Sequence, residues 1–209
     1  DPDKSDLPHV LRVLKDIKRK TIIINKKNIG AGPSRNIAIL KAKGEFIAFI
    51  DADDVWKKHK LKNQLLFMLN NKIKFSFTSY SIINKKNTII KLIKAKRTIG
   101  YNDLIKSCDI GLSTVMIKKD LLKKNKFPRI KTKEDYILWL KLSKQNIKMM
   151  GINQSLVSWR KLDNSLSSSI FQRIKDAFYV YNNFLKFSFI KSIYYISIMS
   201  LNFFKKRYL

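Results

Sequence analysis

The chain has 209 residues and a mass of 24.6 kDa, and 45% of its residues are hydrophobic. That supports one ordinary domain with a sizeable core and excludes wholesale disorder. Lys and Arg (44) far outnumber Asp and Glu (15), for a net charge of +29. Yet 36 Lys, 29 Ile and 16 Asn are what an AT-rich coding sequence writes at tolerant positions, so the excess reads mainly as background.

In chain order, Ser5-Asp6 ahead of Pro8 predicts a helix running to about Arg19. Residues 21–24 read as a short buried strand. A loop over 25–32 leads into a helix with Pro33 in its first turn, ending near Gly44. Residues 45–50 form a second, nearly all-apolar strand, followed at once by Asp51-Ala52-Asp53-Asp54. A helix with Leu61, Leu65 and Met68 on one face comes next. Residues 75–84 and 88–93 read as strands joined in a hairpin. The second half predicts a strand over 111–118 and a helix over 134–145. Residues 151–160 then lead through a Ser-rich loop into helices from about Phe171. Alternating strands and helices with continuous apolar strands predict an α/β fold with a parallel sheet covered on both faces. Ligands of such sheets bind beyond the carboxyl ends of the strands.

Residues 187–204 hold 12 apolar residues of 18, with Lys191 and Asn202 among them, and Lys205-Lys206-Arg207 follows. The stretch is short and interrupted for a membrane span, which needs about 20 apolar residues. An interfacial helix and a core-packing helix both fit it.

The lone Cys108 excludes internal disulfides and thiolate zinc sites and fits a reducing cytosol. With only His9 and His59, a histidine-rich metal site and a Ser-His-Asp triad lack support. No signal peptide is visible, and the sequence opens on Asp1-Pro2-Asp3, so the chain reads as a fragment.

The acids carry more information than the bases. Five of the 15 stand in two clusters: Asp51, Asp53 and Asp54, and Glu134 with Asp135. Between them, residues 55–133 hold 21 Lys and Arg but 3 Asp and Glu. Close carboxylates repel unless a cation sits between them, and this oxygen set suits Mg²⁺ or Mn²⁺ shared with phosphates. A helix cap would need one Asp, not three. Gly30-Ala31-Gly32-Pro33-Ser34-Arg35 departs from a dinucleotide fingerprint at Arg35, yet a helix start carrying Arg suits a diphosphate. Glu134-Asp135 reads equally as a capping box, with Thr132 at the N-cap, and as a general base on the first helical turn.

Several segments match one family together. They are Asn28-x-Gly30-x-x-x-x-Arg35-Asn36, then Lys43-Gly44-Glu45 running through to Asp51-Ala52-Asp53-Asp54, then Trp56 and Lys60-Leu61-x-x-Gln64. Ser113-Thr114-Val115-Met116-Ile117, Glu134-Asp135-Tyr136-x-Leu138-Trp139-Leu140, and Trp159-Arg160 with Ser165-x-Ser167 follow. In order and spacing, the chain from about residue 20 to 170 resembles family 2 of the nucleotide-sugar glycosyltransferases. The resemblance implies a GT-A, Rossmann-like domain over 1–168, its mostly parallel sheet flanked by helices, and a C-terminal helical segment over 169–209.

It also implies roles. The reaction would be an inverting transfer from a nucleotide-diphosphate sugar, expected to be a UDP-sugar, to a hydroxyl of a glycan or lipid-linked acceptor in bacterial surface polysaccharide synthesis. Asn28, Gly30 and Arg35 would line the nucleotide pocket, and Asp51 would contact the nucleotide through its ribose. Asp53, with Asp54, would hold Mn²⁺ or Mg²⁺ against the diphosphate, and Arg160 with residues 165–169 would close over it. Asp135 would deprotonate the acceptor, with Glu134, Trp139, Ser113 and Thr114 on the acceptor side. The expected location is the cytoplasmic face of the membrane, with peripheral contact and no nucleic acid. The family opens with two strands that this sequence lacks, so the chain alone is expected to bind nucleotide weakly. A sugar nucleotidyltransferase, a basic nucleic-acid binder and an inactive relative are the competing readings.

Overall fold

The structure, a computed structural model, describes residues 17–162 and 170–208, together with Pro8, Leu11, Arg12, Leu14 and Lys15. Pro8, Leu11 and Arg12 are helical, but Leu14 and Lys15 already turn, so the first predicted helix stops short of Arg19. Residues 21–24 form no strand, and Ile22, Ile23 and Ile24 stand exposed. No described strand pairs with them, so neither their backbone nor their side chains find the cover that the sequence predicts.

From there the elements run α1 (Ala31–Lys41), β1 (Phe46–Ala48), β2 (Val55–Trp56), α2 (Lys60–Asn70), β3 (Phe75–Ile83), β4 (Ile89–Ile93), β5 (Thr98–Ile99) and α3 (Tyr101–Leu104). A 3₁₀ turn (Leu112–Thr114) precedes β6 (Met116–Lys118) and α4 (Lys119–Lys124). Then come α5 (Glu134–Lys144), β7 (Met149–Arg160), α6 (Ile170–Phe178), a π-helical stretch (Tyr179–Phe184) and α7 (Phe189–Tyr208). Pro33 sits in the first turn of α1, where its missing N–H leaves no bond unmade. β3 and β4 make the expected hairpin.

The seven described strands form one sheet in the order β1-β6-β3-β7-β2, with β4 added to β3 and β5 to β7. Its central pair, β3 and β7, is parallel; the other pairings are antiparallel, so the described sheet is mixed. Both faces are covered. Phe75 and Phe77 face a core built on α5, where Trp139 meets Phe75 edge-on at 4.9 Å. On the other side Met68 of α2 packs with Ile73, Met116 and Met150. On α2 the predicted Met68 is buried and Leu65 packs beside it, while Leu61 is exposed and Lys60 and Gln64 are buried in its stead.

α1 lies tight against the segment leading into α5. A Cβ on Gly32 would sit 2.4 Å from the Pro128 carbonyl oxygen and 3.3 Å from Phe127 Cβ. Gly32→Ala is therefore expected to lower unfolding free energy by about 1–3 kcal/mol, the usual cost of overpacking. Urea unfolding of the two proteins checks it.

Candidate active site

The Asp-rich segment begins three residues after the end of β1 and turns sharply, its Asp54 N–H donating to the Asp51 carbonyl at 3.0 Å. Its three carboxylates go to different places. Asp51 accepts from Arg35 at 2.8 Å. Asp54 turns inward and is buried, its Oδ1 accepting the Arg160 backbone N–H at 3.0 Å and its Oδ2 left without a partner. Burial pushes its carboxyl up to about 6, against hydrogen bonds from Ser113 and Arg160 that hold it down. The half-buried Asp53 carboxylate has no hydrogen bond or ion pair among the described residues, only its backbone carbonyl being held, by Arg160 Nε at 2.9 Å.

The two acid clusters meet at Arg35. Its guanidinium reaches Asp51 with one nitrogen and Glu134 with another, so α1 ties the end of β1 to the start of α5. Burial disfavours the Arg35 charge, and the two carboxylates more than restore it. Glu134 is buried, and its charge is paired with Arg35. Asp135, next along, is half-buried and, among the described residues, accepts only the Tyr136 N–H, at 2.7 Å, with no ion pair. Burial and then the charge of Glu134 push its carboxyl up to about 6. That places its titration near neutral pH, where a carboxylate works best as a base.

The predicted capping box is absent. Lys133, in the left-handed region at φ 65°, is the N-cap of α5, and Thr132 instead donates to Asp176 of α6. Thus Asp135 is not occupied in capping through Thr132, and the C-terminal helices are bolted to the segment that presents it.

Three residues expected on the acceptor side lie elsewhere. Trp139 is fully buried between Phe75 and Phe127, because from Tyr136 to Leu140 α5 is enclosed by the core on every side. Ser113 and Thr114 are buried scaffold. Ser113 Oγ accepts the Asp51 N–H at 3.0 Å, and its carbonyl accepts Trp56 Nε1 at 2.9 Å. The Thr114 carbonyl accepts Gln64 Nε2 at 2.9 Å, and its hydroxyl donates to the Gly111 carbonyl.

Beneath this scaffold sits Lys60, wholly buried, its Nζ 4.2 Å from the Trp56 ring centroid and without a hydrogen-bond acceptor. The motif Lys60-Leu61-x-x-Gln64 marks the segment in the sequence, but a Lys at the start of a helix gives no sign of burial. The ring face replaces part of its hydration, and burial pushes its pKa down to about 7 from 10.5. The unfolded chain therefore binds more protons than the folded one between those values, so Lys60 makes stability rise as pH climbs through that window. Lys60→Met is expected to match or exceed the wild type in unfolding free energy at pH 7. It is also expected to remove the lysine's share of the gain on going to pH 9, as urea titrations at both values would show.

Arg160 is aimed at backbone, through Nε to Asp53 and Nη1 to the Asn84 carbonyl at 3.1 Å, and so fixes the Asp turn from β7. Residues 165–169, expected to close with it, lie outside the described residues. Asn28 is exposed and folds back on its own loop, accepting the Gly30 N–H at 2.9 Å, and Gly30 at φ 90° starts α1.

No three His, Cys, Asp or Glu side chains converge as a complete metal cage among the described residues. A Mg²⁺ or Mn²⁺ shared with phosphates needs only one or two carboxylates. The unengaged Asp53 and the orphaned Oδ2 of Asp54 fit that requirement.

Comparison with known proteins shows the family and the fold. The family model described as Glycosyl transferase family 2 matches residues 3–126. The chain is 36% identical over 198 residues to WfgD of Escherichia coli, named a UDP-Glc:alpha-D-GlcNAc-diphosphoundecaprenol beta-1,3-glucosyltransferase, covering 94% of this chain and 77% of WfgD. TuaG of Bacillus subtilis (strain 168) is 35% identical over 191 residues, 91% of this chain and 76% of TuaG. Among solved structures, residues 1–349 of S. aureus TarS with UDP-GlcNAc share the fold at a TM-score of 0.65 and 19% identity. That match covers 81% of this chain and 50% of the 1–349 fragment, so this chain spans about half of that fragment and three quarters of the other two proteins.

Proposed function

Since the chain belongs to glycosyl transferase family 2, we propose that it carries the metal and base residues of an inverting transfer from a UDP-sugar to a hydroxyl of a lipid-linked glycan. The observation that carries this reading is the division of labour among its five clustered acids. Arg35 and the Arg160 backbone engage Asp51, Glu134 and Asp54, which leaves Asp53 and Asp135 for chemistry.

Asp53, supported by Asp54, would hold Mn²⁺ or Mg²⁺. Such an ion, when bound, neutralises charge on a leaving diphosphate. Asp51, its carboxylate fixed by Arg35, would accept from a ribose hydroxyl. Arg35 holds Glu134, the first residue of α5, and Asp135 beside it lies close enough to feel the Arg35 charge. The Asp135 carboxylate takes the acceptor hydroxyl proton as that oxygen attacks the anomeric carbon from the face opposite the diphosphate. Inversion follows from that single displacement.

The names of the relatives support the substrate classes: UDP-Glc and a diphosphoundecaprenol-linked sugar for WfgD, UDP-GlcNAc bound to TarS. Calorimetric titration of UDP into the chain tests the donor half. Binding that needs Mn²⁺ and is reversed by a chelator is expected; equal binding with and without the metal would contradict it.

A further inference from the structure

Helix α7 is apolar on two opposite sides. One side, with Tyr195, Ile196 and Met199, packs on the core, and Asn202 anchors it by donating to the Lys106 carbonyl at 2.9 Å. The other side is mostly uncovered among the described residues, with Phe189 alone on it meeting a ring of another element, Phe178 of α6, edge-on at 5.6 Å. Phe189, Ile190, Ile193, Tyr194 and Leu201 are all exposed, Ile190 at 81% of its full surface. Their spacing of one, four, five and twelve positions from Phe189 confines them to roughly 140° of arc, with exposed Ser197 in the gap. The stripe is about 18 Å long. α7 is no membrane span: among the described residues no helix is long and apolar enough to cross a bilayer.

The charge around the stripe selects its partner. Lys175, Lys186, Lys191 and Lys205 are exposed on the same C-terminal segment. From residue 170 to 209 the sequence has seven Lys and Arg but one acid, Asp176, which is buried against Thr132 and Gln172. A second copy of the chain would bring the same positive charges face to face. A surface that is apolar inside and negative outside satisfies both features.

We infer that the exposed stripe of α7 lies in the interface of an anionic lipid bilayer, with the flanking lysines on the headgroups. Through Thr132 and Asp176, this would hold the Asp135 end of α5 at a fixed height above the membrane. The inference is consistent with a lipid-linked acceptor but does not depend on catalysis.

Co-sedimentation of the chain with vesicles tests it. Wild type is expected to pellet with phosphatidylcholine–phosphatidylglycerol vesicles, less so at high salt and much less with phosphatidylcholine alone. Ile190→Glu and Ile193→Glu should each weaken partitioning roughly tenfold or more, and Lys191→Ser roughly fivefold. Both isoleucines are exposed, so circular dichroism and Mn²⁺-dependent UDP binding should be unchanged in these variants. Wild type left in the supernatant with anionic vesicles would overturn the inference, as would vesicle binding unaffected by Ile190→Glu. A dimer that ignores vesicles and dissociates on Ile190→Glu would also overturn it and assign the stripe to self-association. Vesicle binding by a chain that binds no UDP would refute the donor reading alone.

Discussion

Asp135→Ala is expected to lower turnover by roughly 10²–10⁴-fold, the usual contribution of a general base, while leaving Mn²⁺-dependent UDP binding intact. The reason lies in the pair to which Asp135 belongs. Glu134 is the more deeply buried of the two, but its charge is spent on Arg35. Asp135 has a single backbone N–H for a partner and a carboxyl raised to about 6. A base must be ionised, so kcat/KM should climb as pH rises through about 6 and level off above it. Asp135→Asn keeps the shape, removes that limb of the profile and loses rate to a similar degree. Glu134→Gln should behave differently. Releasing Arg35 loosens Asp51 as well, so donor affinity falls along with rate. A turnover for Asp135→Ala within about tenfold of wild type would reject the base assignment.

Asp53→Ala is expected to remove metal-dependent UDP binding, weakening it by more than roughly 100-fold, since even partners behind a metal ligand are worth 10–100-fold. Asp54→Ala should cost less in binding and more in stability. Its Oδ1 accepts the Arg160 N–H that pins β7 to the Asp turn, and removing it leaves that donor unsatisfied. Titrating UDP and Mn²⁺ into both variants, alongside urea unfolding, separates the two roles.

What the sequence conveyed about this site followed the rarity of its acids. In a chain so poor in Asp and Glu, two acid clusters at the ends of apolar segments point to chemistry, and the structure joins those clusters through Arg35. It was silent on which acid does what, because Asp51, Asp53 and Asp54 differ only in their partners, and those come from residues 16 to 106 positions away. Apolar periodicity placed α1, the β3–β4 hairpin and α5 closely. It failed at residues 21–24, where β-branched residues predict a strand but a strand needs a neighbour. On α2 it placed Leu65 and Met68 on the packed side but also Leu61, which is exposed. Lys60 is buried there with its charge against Trp56, and Gln64 is buried with its amide satisfied by Ser76 and Thr114. Trp139 was misplaced because α5 is enclosed by the core from Tyr136 to Leu140, so even a residue one turn from Asp135 is buried.

The most direct test of the account is nucleotide release from a panel of nucleotide sugars, with and without Mn²⁺ and a lipid-linked acceptor. One UDP-sugar is expected to release UDP in the presence of acceptor. That release should stop with a chelator, in Asp53→Ala and in Asp135→Ala. Release that persists with the metal removed and both aspartates replaced would contradict it.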